Sequence, residues 1–425
     1  MSKRPKNRPV IAAKPAPVRQ PNPGPSASGE DIVLCPRDGL FLKDGREWGP
    51  AGASWAHSLD WPAPSTILGA LRTATGRRAE QEKGITWTPK DWKALECVTR
   101  LASTVALRRP VAATGWNAAH RVWPVPADAL FLKDDHGKRL NVLRLEPRPA
   151  TPGLGSDDNL PREALWRPRV TDPNKPARPP AWWCEQVWVD WLATPPDTLP
   201  WNESDPLSGL ALPRHVQVHV GIDRLTGAAA DEILFAHDVV ESLDGEGYEW
   251  AIGCQFTSSR PEDGPGPLAT IGGDRRLARI ERARDLFGFP AALAEAFRKS
   301  SPEGIRLTAV TPAAFTGGWC PPDFTPHGNE YRGKLPGIAD ELILRACMVP
   351  RAGQISGWDM ARNAAKATTR LVPPGAVYHF VKSVKDARFT EADAKQLWLI
   401  ALGNRCGEGF GRFAPGLWNP KESGS

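Results

Sequence analysis

The chain has 425 residues and carries 54 Lys and Arg against 48 Asp and Glu, a formal net charge of +6. At about 150 residues a domain, this length predicts two or three domains and a core that needs no disulfide or metal staples. Six of the basic residues precede the first acidic residue, Glu30, so the rest of the chain carries equal numbers of both charges. This balance excludes long-range attraction of nucleic acid by the folded part, where such a site must be a local concentration of Arg and Lys.

Residues 1–29 are rich in Pro, Ala, Ser and basic residues, and they predict a disordered basic tail. They contain no apolar run of the kind that a secretion signal or a transmembrane span requires, and we expect a soluble, cytoplasmic protein. The seven cysteines lie at least 27 positions apart, in an odd number and without a C-x-x-C pair. This spacing favours free thiols in a reducing compartment over a zinc site or a disulfide framework.

The first half of the chain mixes predicted strands and helices. Residues 31–35 predict a strand. Two prolines end the next extended run, and Ser65 or Thr66 then caps a helix that reaches Arg72. The further predicted elements are a helix over residues 87–107, a hairpin of residues 129–133 and 140–145, a long mobile loop over 146–181 and a short helix over 185–192.

The second half opens with the strongest predicted strand. Residues 216–222 alternate Val or Ile with polar residues, which predicts one face in the core and one polar face. His215 and His219 would lie roughly 13 Å apart on this strand, too far to share one zinc ion. His219 is therefore either a ligand-contacting residue or a structural one. Further strands are predicted at residues 233–236, 248–256, 305–310, 342–349 and 377–381.

The last predicted helix is followed by a glycine-rich stretch. Thr390 and Asp393 match a capping box, an apolar stripe continues to Leu402, and Gly403 would end the helix. Strands mixed with few helices in each half predict an α+β fold rather than a doubly wound α/β sheet.

The stretch over residues 403–416 holds five glycines and is compatible with two interpretations. A dinucleotide site is rejected because the glycines would follow a helix instead of preceding one, and because Arg412 replaces the third glycine. In the first interpretation, Arg405 and Arg412 track a phosphodiester backbone while Phe410 or Phe413 stacks on a base. In the second, the stretch is a turn that needs glycine only for its own φ angles.

Six motifs in order carry a resemblance to a known family. They are PSTILGALR at 64–72, HVGIDRLTGAA at 219–229, IGGDRRL at 271–277, ISGWD at 355–359, PGAVY at 374–378 and GEGFGRFAPG at 407–416. With these, residues 31–418 resemble the RAMP superfamily of CRISPR-associated RNA-binding proteins, and specifically the third subunit of the Cmr effector complex of type III-B systems. The basic tail, the loop over 146–181 and the 18 tryptophans exceed what is usual in that family.

The resemblance implies two tandem ferredoxin-like (RRM-like) domains with long loop insertions, predicted over residues 30–205 and 206–425. It implies a non-catalytic RNA-binding subunit, without metal or cofactor, that grips the 5′ handle of the CRISPR RNA (crRNA) in antiviral defence. The implied protein partners are the large polymerase-like subunit and the backbone RAMP subunits, with target RNA met only indirectly and no membrane.

The residues predicted to contact RNA combine these motifs with the chemistry of single-stranded recognition, in which arginines bind phosphates and aromatic rings stack on bases. They are Arg72, His219, Arg224, Arg275, Arg276, Arg405, Gly407, Gly409, Phe410, Gly411 and Arg412. For each arginine the alternative is a solvated or salt-bridged side chain.

Two other functions remain open at this point. Some RAMP proteins cleave repeat RNA without metal, and His57 is the best-placed general base for such a metal-independent endoribonuclease, with His120 or His219 as substitutes. No Tyr or Lys lies near His57 in the sequence to assist it. The third possibility is a protein scaffold that touches no RNA directly.

Overall fold

The computed structural model describes residues 30–43, 54–133, 140–149, 165–168, 170, 172, 174–194, 209–259, 264–359 and 364–421. The predicted basic tail, the tip of the predicted hairpin at 134–139 and much of the predicted loop over 146–181 lie outside these residues. The predicted domain boundary between residues 205 and 206 also lies outside them.

Helices are few in this part of the chain. They are α1 (Pro64–Lys83), α2 (Pro89–Val98), α3 (Glu185–Ala193), α4 (Ala291–Ser300) and α5 (Glu391–Leu397). α1 begins with a proline at its first turn, where the missing N–H costs nothing, and ends at Gly84 in the left-handed conformation.

The strands up to residue 282 are β1 (Glu30–Pro36), β2 (Ser54–Ala56), β3 (Thr99–Pro110), β4 (Arg121–Pro124), β5 (Ala129–Lys133), β6 (Leu140–Arg144), β7 (Pro147–Arg148), β8 (Arg167–Pro168), β9 (Trp182–Cys184), β10 (Arg214–Ile222), β11 (Ala229–Val240), β12 (Tyr248–Ser258), β13 (Leu268–Ile271) and β14 (Arg276–Arg282). Those that follow are β15 (Gly304–Ala309), β16 (Thr325–His327), β17 (Glu330–Gly333), β18 (Leu342–Met348), β19 (Gly353–Ile355), β20 (Trp358–Asp359), β21 (Ala364–Ala365), β22 (Thr369–Leu371), β23 (Val377–Lys382), β24 (Ile400–Ala401) and β25 (Arg412–Trp418). The mixture confirms the predicted α+β class.

Two seven-stranded sheets dominate the described residues. The first has the order β13-β14-β1-β12-β3-β4-β9 and the second β16-β17-β18-β23-β15-β25-β24. In each, four central strands are all antiparallel and follow the order fourth, first, third, second along the chain. α1 connects the first and second of these strands in the first sheet, and α5 connects the third and fourth in the second sheet. The first sheet takes strands from both sides of the predicted domain boundary, which stays a prediction.

One apolar cluster joins the two sheets. Residues of β1, β3, β15 and β23 belong to it, together with the tryptophans of α3. Within it, Asp128 and Arg306 form an ion pair in which both side chains are at most 1 % exposed, and Trp191 Nε1 donates to Asp128 Oδ1 at 2.9 Å. A buried charge is tolerated only when it is paired in this way, so the pair fixes α3 against the second sheet.

The helix predicted over residues 87–107 is wrong beyond Val98. Residues 99–110 form β3 instead, which makes eleven register pairs with β12. A spacing of four residues between apolar side chains satisfies helix and strand periods alike, and the pairing with β12 decides in favour of the strand. The predicted hairpin of β5 and β6 and the helix α3 are confirmed.

The last helix is also shorter than predicted. Its capping box is present, with Thr390 Oγ1 accepting from Asp393 N at 3.1 Å. The helix ends at Leu397, however, because residues 400 and 401 pair with β25 as strand β24. Gly403 therefore follows a strand and is not the helix cap that the sequence predicted.

β10 is a strand as predicted, but the prediction of a buried apolar face is wrong. Val216, Val218, Val220 and Ile222 are 47, 65, 48 and 58 % exposed, respectively. The opposite, polar face of the strand packs inward, where rings of the neighbouring β11 and of Phe41 fill the space. Stacked imidazole and phenyl rings thus line the inner face of this strand, and its aliphatic side chains are on the exposed face.

Candidate nucleic-acid interface

A long cleft runs between the two halves of the described structure. It has a volume of about 2650 Å³ and is lined by parts of α1, β3, β12, β19 and the loop that precedes β25. Sites for small ligands usually measure roughly 300–1,000 Å³, so the cleft suits an extended chain better than a metabolite. Three of the six family motifs, at 64–72, 355–359 and 407–416, contribute to its lining.

The described cleft lining is cationic overall, with seven basic side chains against five carboxylates. The basic ones are Arg72, Lys93, Arg100, Lys334, Lys366, Arg405 and Arg412, and the acidic ones are Asp31, Glu96, Asp285, Asp323 and Glu408. The chain outside the tail is neutral, whereas the described cleft lining has an excess of two positive charges, the sign that phosphate binding requires.

Arg72 is fixed in the wall of this cleft. It projects from α1, and its guanidinium donates from Nε to Thr99 Oγ1 at 2.8 Å and from Nη2 to the Glu96 carbonyl at 3.0 Å. Burial lowers the pKa of Arg72 from its usual value. These bonds hold the side chain in one position and leave it half-buried at the cleft surface.

The closing loop, residues 403–411, ties the second sheet to the first at one end of the cleft. Leu101 N donates to the Gly407 carbonyl at 2.9 Å. Gly411 has φ +70°, and a Cβ there would lie 2.0 Å from the Leu402 carbonyl oxygen. Gly403 and Gly411 therefore allow close packing of backbone on backbone.

Arg405 of the closing loop and Arg412, which follows it, both form hydrogen bonds with residues of the loop. Arg405 donates from Nε and Nη2 to the two carboxylate oxygens of Glu408, at 2.9 and 2.7 Å, and lies 4.4 Å from the ring centroid of Phe410. Arg412 donates from Nη2 to the Cys406 carbonyl at 3.0 Å, and burial lowers its pKa. Both line the cleft, but these hydrogen bonds hold their guanidinium groups against the closing loop.

Phe410 does not have the predicted role of stacking on a base. Its side chain is 0 % exposed and belongs to an apolar cluster with Ala314 and Leu371, and Phe413 is equally buried. Neither ring has a face to offer to a ligand. Gly409 also faces inward, where its Cβ position lies within 3.2 Å of Leu101 and Pro64.

The other predicted contacts lie outside the cleft, in and beside the hairpin region, which comprises β10 and β11 and their turn at residues 223–228. His219 is stacked between Phe235 and His237, with ring centroids 5.1 and 4.7 Å apart. Arg276 donates from Nη2 to Gln217 Oε1 at 2.7 Å. These side chains pack on the inner face of the hairpin region.

Arg224 and Arg275 differ from the arginines already described. Arg224 lies in the turn of the hairpin region, and Arg275 lies in a short 3₁₀ turn just before β14. Both are exposed, and neither makes an ion pair or hydrogen bond with another described side chain. They are available to bind phosphate.

Two lysines of the cleft were missed in the sequence. Lys334 and Lys366 are exposed, line the cleft and form no ion pair within the described residues. Neither lies in a motif or a run of charge, and no signal in the sequence singles them out. Folding alone brings them to the same cleft as Arg72.

His57, the residue predicted for an endoribonuclease, lies outside the cleft. Its Nδ1 accepts from Trp55 Nε1 at 3.1 Å and is 3.7 Å from Asp238 Oδ1, and 54 % of the side chain is exposed. Across the described parts of the chain, no group of three or more His, Cys, Asp or Glu could hold a metal ion. No helix among them is long and apolar enough to cross a membrane.

Comparisons with known proteins were made for the sequence and for the structure. The structural comparison matches chains in two cryo-EM structures of a type III-B Cmr-beta complex bound to cognate target RNA. The match to the structure that also contains AMPPnP (state 1) has a TM-score of 0.41 and 12 % identity, and the match to the other has a TM-score of 0.40 and 13 % identity. Each match covers 82 % of this chain and 86 % of the matched chain. No curated protein matches the sequence. The model of the family described as CRISPR-associated protein (Cas_Cmr3) matches residues 32–418, which confirms the predicted resemblance. The chain belongs to this Cas_Cmr3 family of CRISPR-associated proteins.

Proposed function

We propose that this protein is the non-catalytic subunit that holds the 5′ handle of the crRNA in a type III-B Cmr effector complex. The observation that carries the proposal is the cationic cleft, to which three separate family motifs contribute in an otherwise neutral body. A single strand of RNA fits such a groove because phosphates need cations along an extended path while the bases remain accessible to sheet and loop residues.

The strand order supports the accompanying fold assignment. Four antiparallel strands in the order fourth, first, third, second are typical of the ferredoxin-like βαββαβ unit, and both sheets have that order. We therefore interpret the protein as two such units, each with one of the two expected helices in place. The cleft lies between them.

Within this proposal, the cleft lysines bind phosphates and the closing loop supports them. Lys334 and Lys366 have free amines, whereas Arg72 is held in the wall by its bonds to Thr99 and Glu96. Arg224 and Arg275 supply further phosphate contacts outside the cleft. As a subunit, the protein caps the handle and bridges the large polymerase-like subunit to the backbone RAMP subunits, and it meets target RNA only through them.

The test is RNA binding by the full chain as a function of salt. Each phosphate contact to a single strand contributes about 0.7 to the slope of log affinity against log salt, so Lys334→Ala with Lys366→Ala should lower the slope by about 1.4. The matched control is Lys83→Ala with Lys385→Ala, which removes two exposed amines outside the cleft lining. Equal effects of the two double variants would contradict the proposal.

The same mixtures test the absence of catalysis. Without metal, crRNA incubated with the protein should be recovered at full length. Specific cuts that disappear in His57→Ala would establish an endoribonuclease instead.

A further inference from the structure

A row of polar side chains crosses three neighbouring strands of the first sheet at the edge of the cleft. Asp31 of β1 is opposite Gln255 of β12, and Gln255 is opposite Ser103 of β3. Residues directly opposite in an antiparallel pair have Cβ atoms roughly 4.5–5.5 Å apart, so the three side chains are neighbours on one face. All three line the cleft.

The same sheet face is apolar farther along. Val33 follows Asp31 on this face of β1, Val105 follows Ser103 on β3, and both belong to the core cluster that joins the sheets. The polar row therefore begins where the core ends and the cleft opens. Aliphatic side chains fill the equivalent positions one step farther along β1 and β3, and Gly253 takes the equivalent position on β12.

Asp31 is oriented and yet incompletely bonded. Its Oδ2 accepts from Leu286 N at 2.7 Å, which fixes the carboxyl group. Its Oδ1 is shielded from solvent and has no hydrogen-bond partner within the described residues. Burial, with a contribution from Asp285, raises the pKa of Asp31, while the hydrogen bond from Leu286 and, to a smaller extent, the nearby Gln255 side chain oppose that rise.

Ser103 also has a buried polar atom without a hydrogen-bond partner. Its side chain is 3 % exposed, and its hydroxyl group also lacks a partner in the described part of the chain. A buried polar group without a partner costs about 1–3 kcal/mol, and such groups are rare without a reason. Other buried polar atoms of the described residues also lack a partner, but these two lie in one row at the cleft edge, where a ligand can supply the missing hydrogen bonds.

The charge of Asp31 shows which part of the RNA this ligand is. A carboxylate repels phosphate, so the row faces a base and leaves the backbone to cations elsewhere in the cleft. Carboxylates accept hydrogen bonds from exocyclic amino groups of bases, whereas the O4 of uracil is an acceptor and would be repelled. The hydroxyl of Ser103 and the amide of Gln255 can each donate or accept, and they adapt to the rest of the base edge.

We propose that Asp31, Gln255 and Ser103 form a base-reading subsite that selects a base with an exocyclic amino group (adenine, cytosine or guanine) against uracil. The subsite rests on the proposed function, because it requires a single strand of RNA in the cleft. It gives the cleft a sequence preference that cations alone do not provide.

The experiment measures binding of the full chain to oligo(A), oligo(C) and oligo(U) of equal length at one salt concentration. The wild-type protein should bind oligo(A) and oligo(C) at least about 5-fold more tightly than oligo(U), the lower limit for one good base contact. In Asp31→Asn, the amide oxygen keeps the bond from Leu286 and the NH₂ group points to the base. This variant should reverse the preference towards oligo(U).

Asp386→Asn is the matched control. Asp386 is an exposed carboxylate outside the cleft lining, and its replacement removes the same charge. The control should keep the wild-type preference. Ser103→Ala, which adds no volume, should reduce the preference without reversing it, and it keeps the test valid if Asp31→Asn fails to fold.

The outcomes separate the subsite from the proposed function. Salt-dependent binding of all three oligonucleotides with equal affinity, or a preference that survives both Asp31→Asn and Ser103→Ala, overturns the subsite and leaves the handle-binding function intact. If the wild-type protein binds none of the three at low salt, the proposed function is contradicted and the subsite with it.

Discussion

The closing loop and the hairpin region both carry glycines and arginines from family motifs, but they use them differently. In residues 403–412, Arg405 is bonded to a carboxylate and Arg412 to backbone carbonyls, and Gly403 and Gly411 are packed against backbone. In and beside the hairpin region, Arg224 and Arg275 are exposed and have no partner within the described residues. The difference teaches that similar motifs can serve mainly to shape a cleft in one place and to present charge in another.

The largest expected effect comes from two glycines in the same left-handed conformation. Gly411 has φ +70° and a backbone oxygen 2.0 Å from its Cβ position, whereas Gly227 in the hairpin turn has φ +67° and nothing within 4 Å. Gly411→Ala should lower the free energy of unfolding by roughly 3 kcal/mol, near the upper end for ordinary substitutions. Gly227→Ala should cost only about 1 kcal/mol, the backbone penalty alone.

Denaturant unfolding of both variants measures this difference. Equal losses of stability would mean that the closing loop moves aside easily and is not a packed support of the cleft.

A smaller effect separates the arginines. Arg412→Ala removes a hydrogen-bonded guanidinium and should lower the unfolding free energy by about 1–3 kcal/mol. Arg224→Ala should change stability by less than about 0.5 kcal/mol. It should instead lower the salt slope of RNA binding by about 0.7, as expected for one lost phosphate contact.

Unfolding and RNA binding are therefore measured on the same two variants. A stable Arg412→Ala protein with a large loss of RNA affinity would assign that guanidinium to the ligand. Loss of stability without loss of binding in Arg224→Ala would remove the hairpin turn from the interface.

The sequence predicted the strands well and the ends of the helices poorly. β1, β12, β15, β18 and β23 are found close to their predicted positions, because their apolar runs are short and bounded by turn residues. Residues 99–107 and 398–402 were assigned to helices because their apolar spacing also fits a helix. Pairing with β12 and β25, which involves residues far away in the chain, decides their structure.

The candidate site was predictable only in part. Motifs led to Arg72 and to the closing loop, which do line the cleft. Burial of Phe410 could not be foreseen, since an aromatic residue between glycines is compatible with a core position and with a stacking platform. The polar row of Asp31, Gln255 and Ser103 depends on the register of three strands, and no local pattern contains that information.

Crosslinking of 4-thiouridine-substituted crRNA in the assembled complex tests most directly whether the cleft holds the RNA. Peptides that contain Lys334, Lys366 and the cleft-facing part of β3 should carry crosslinks from the 5′ handle, and peptides around Arg224 should carry additional ones. Handle crosslinks that avoid all of the cleft peptides, or that fall on other subunits only, would contradict the account.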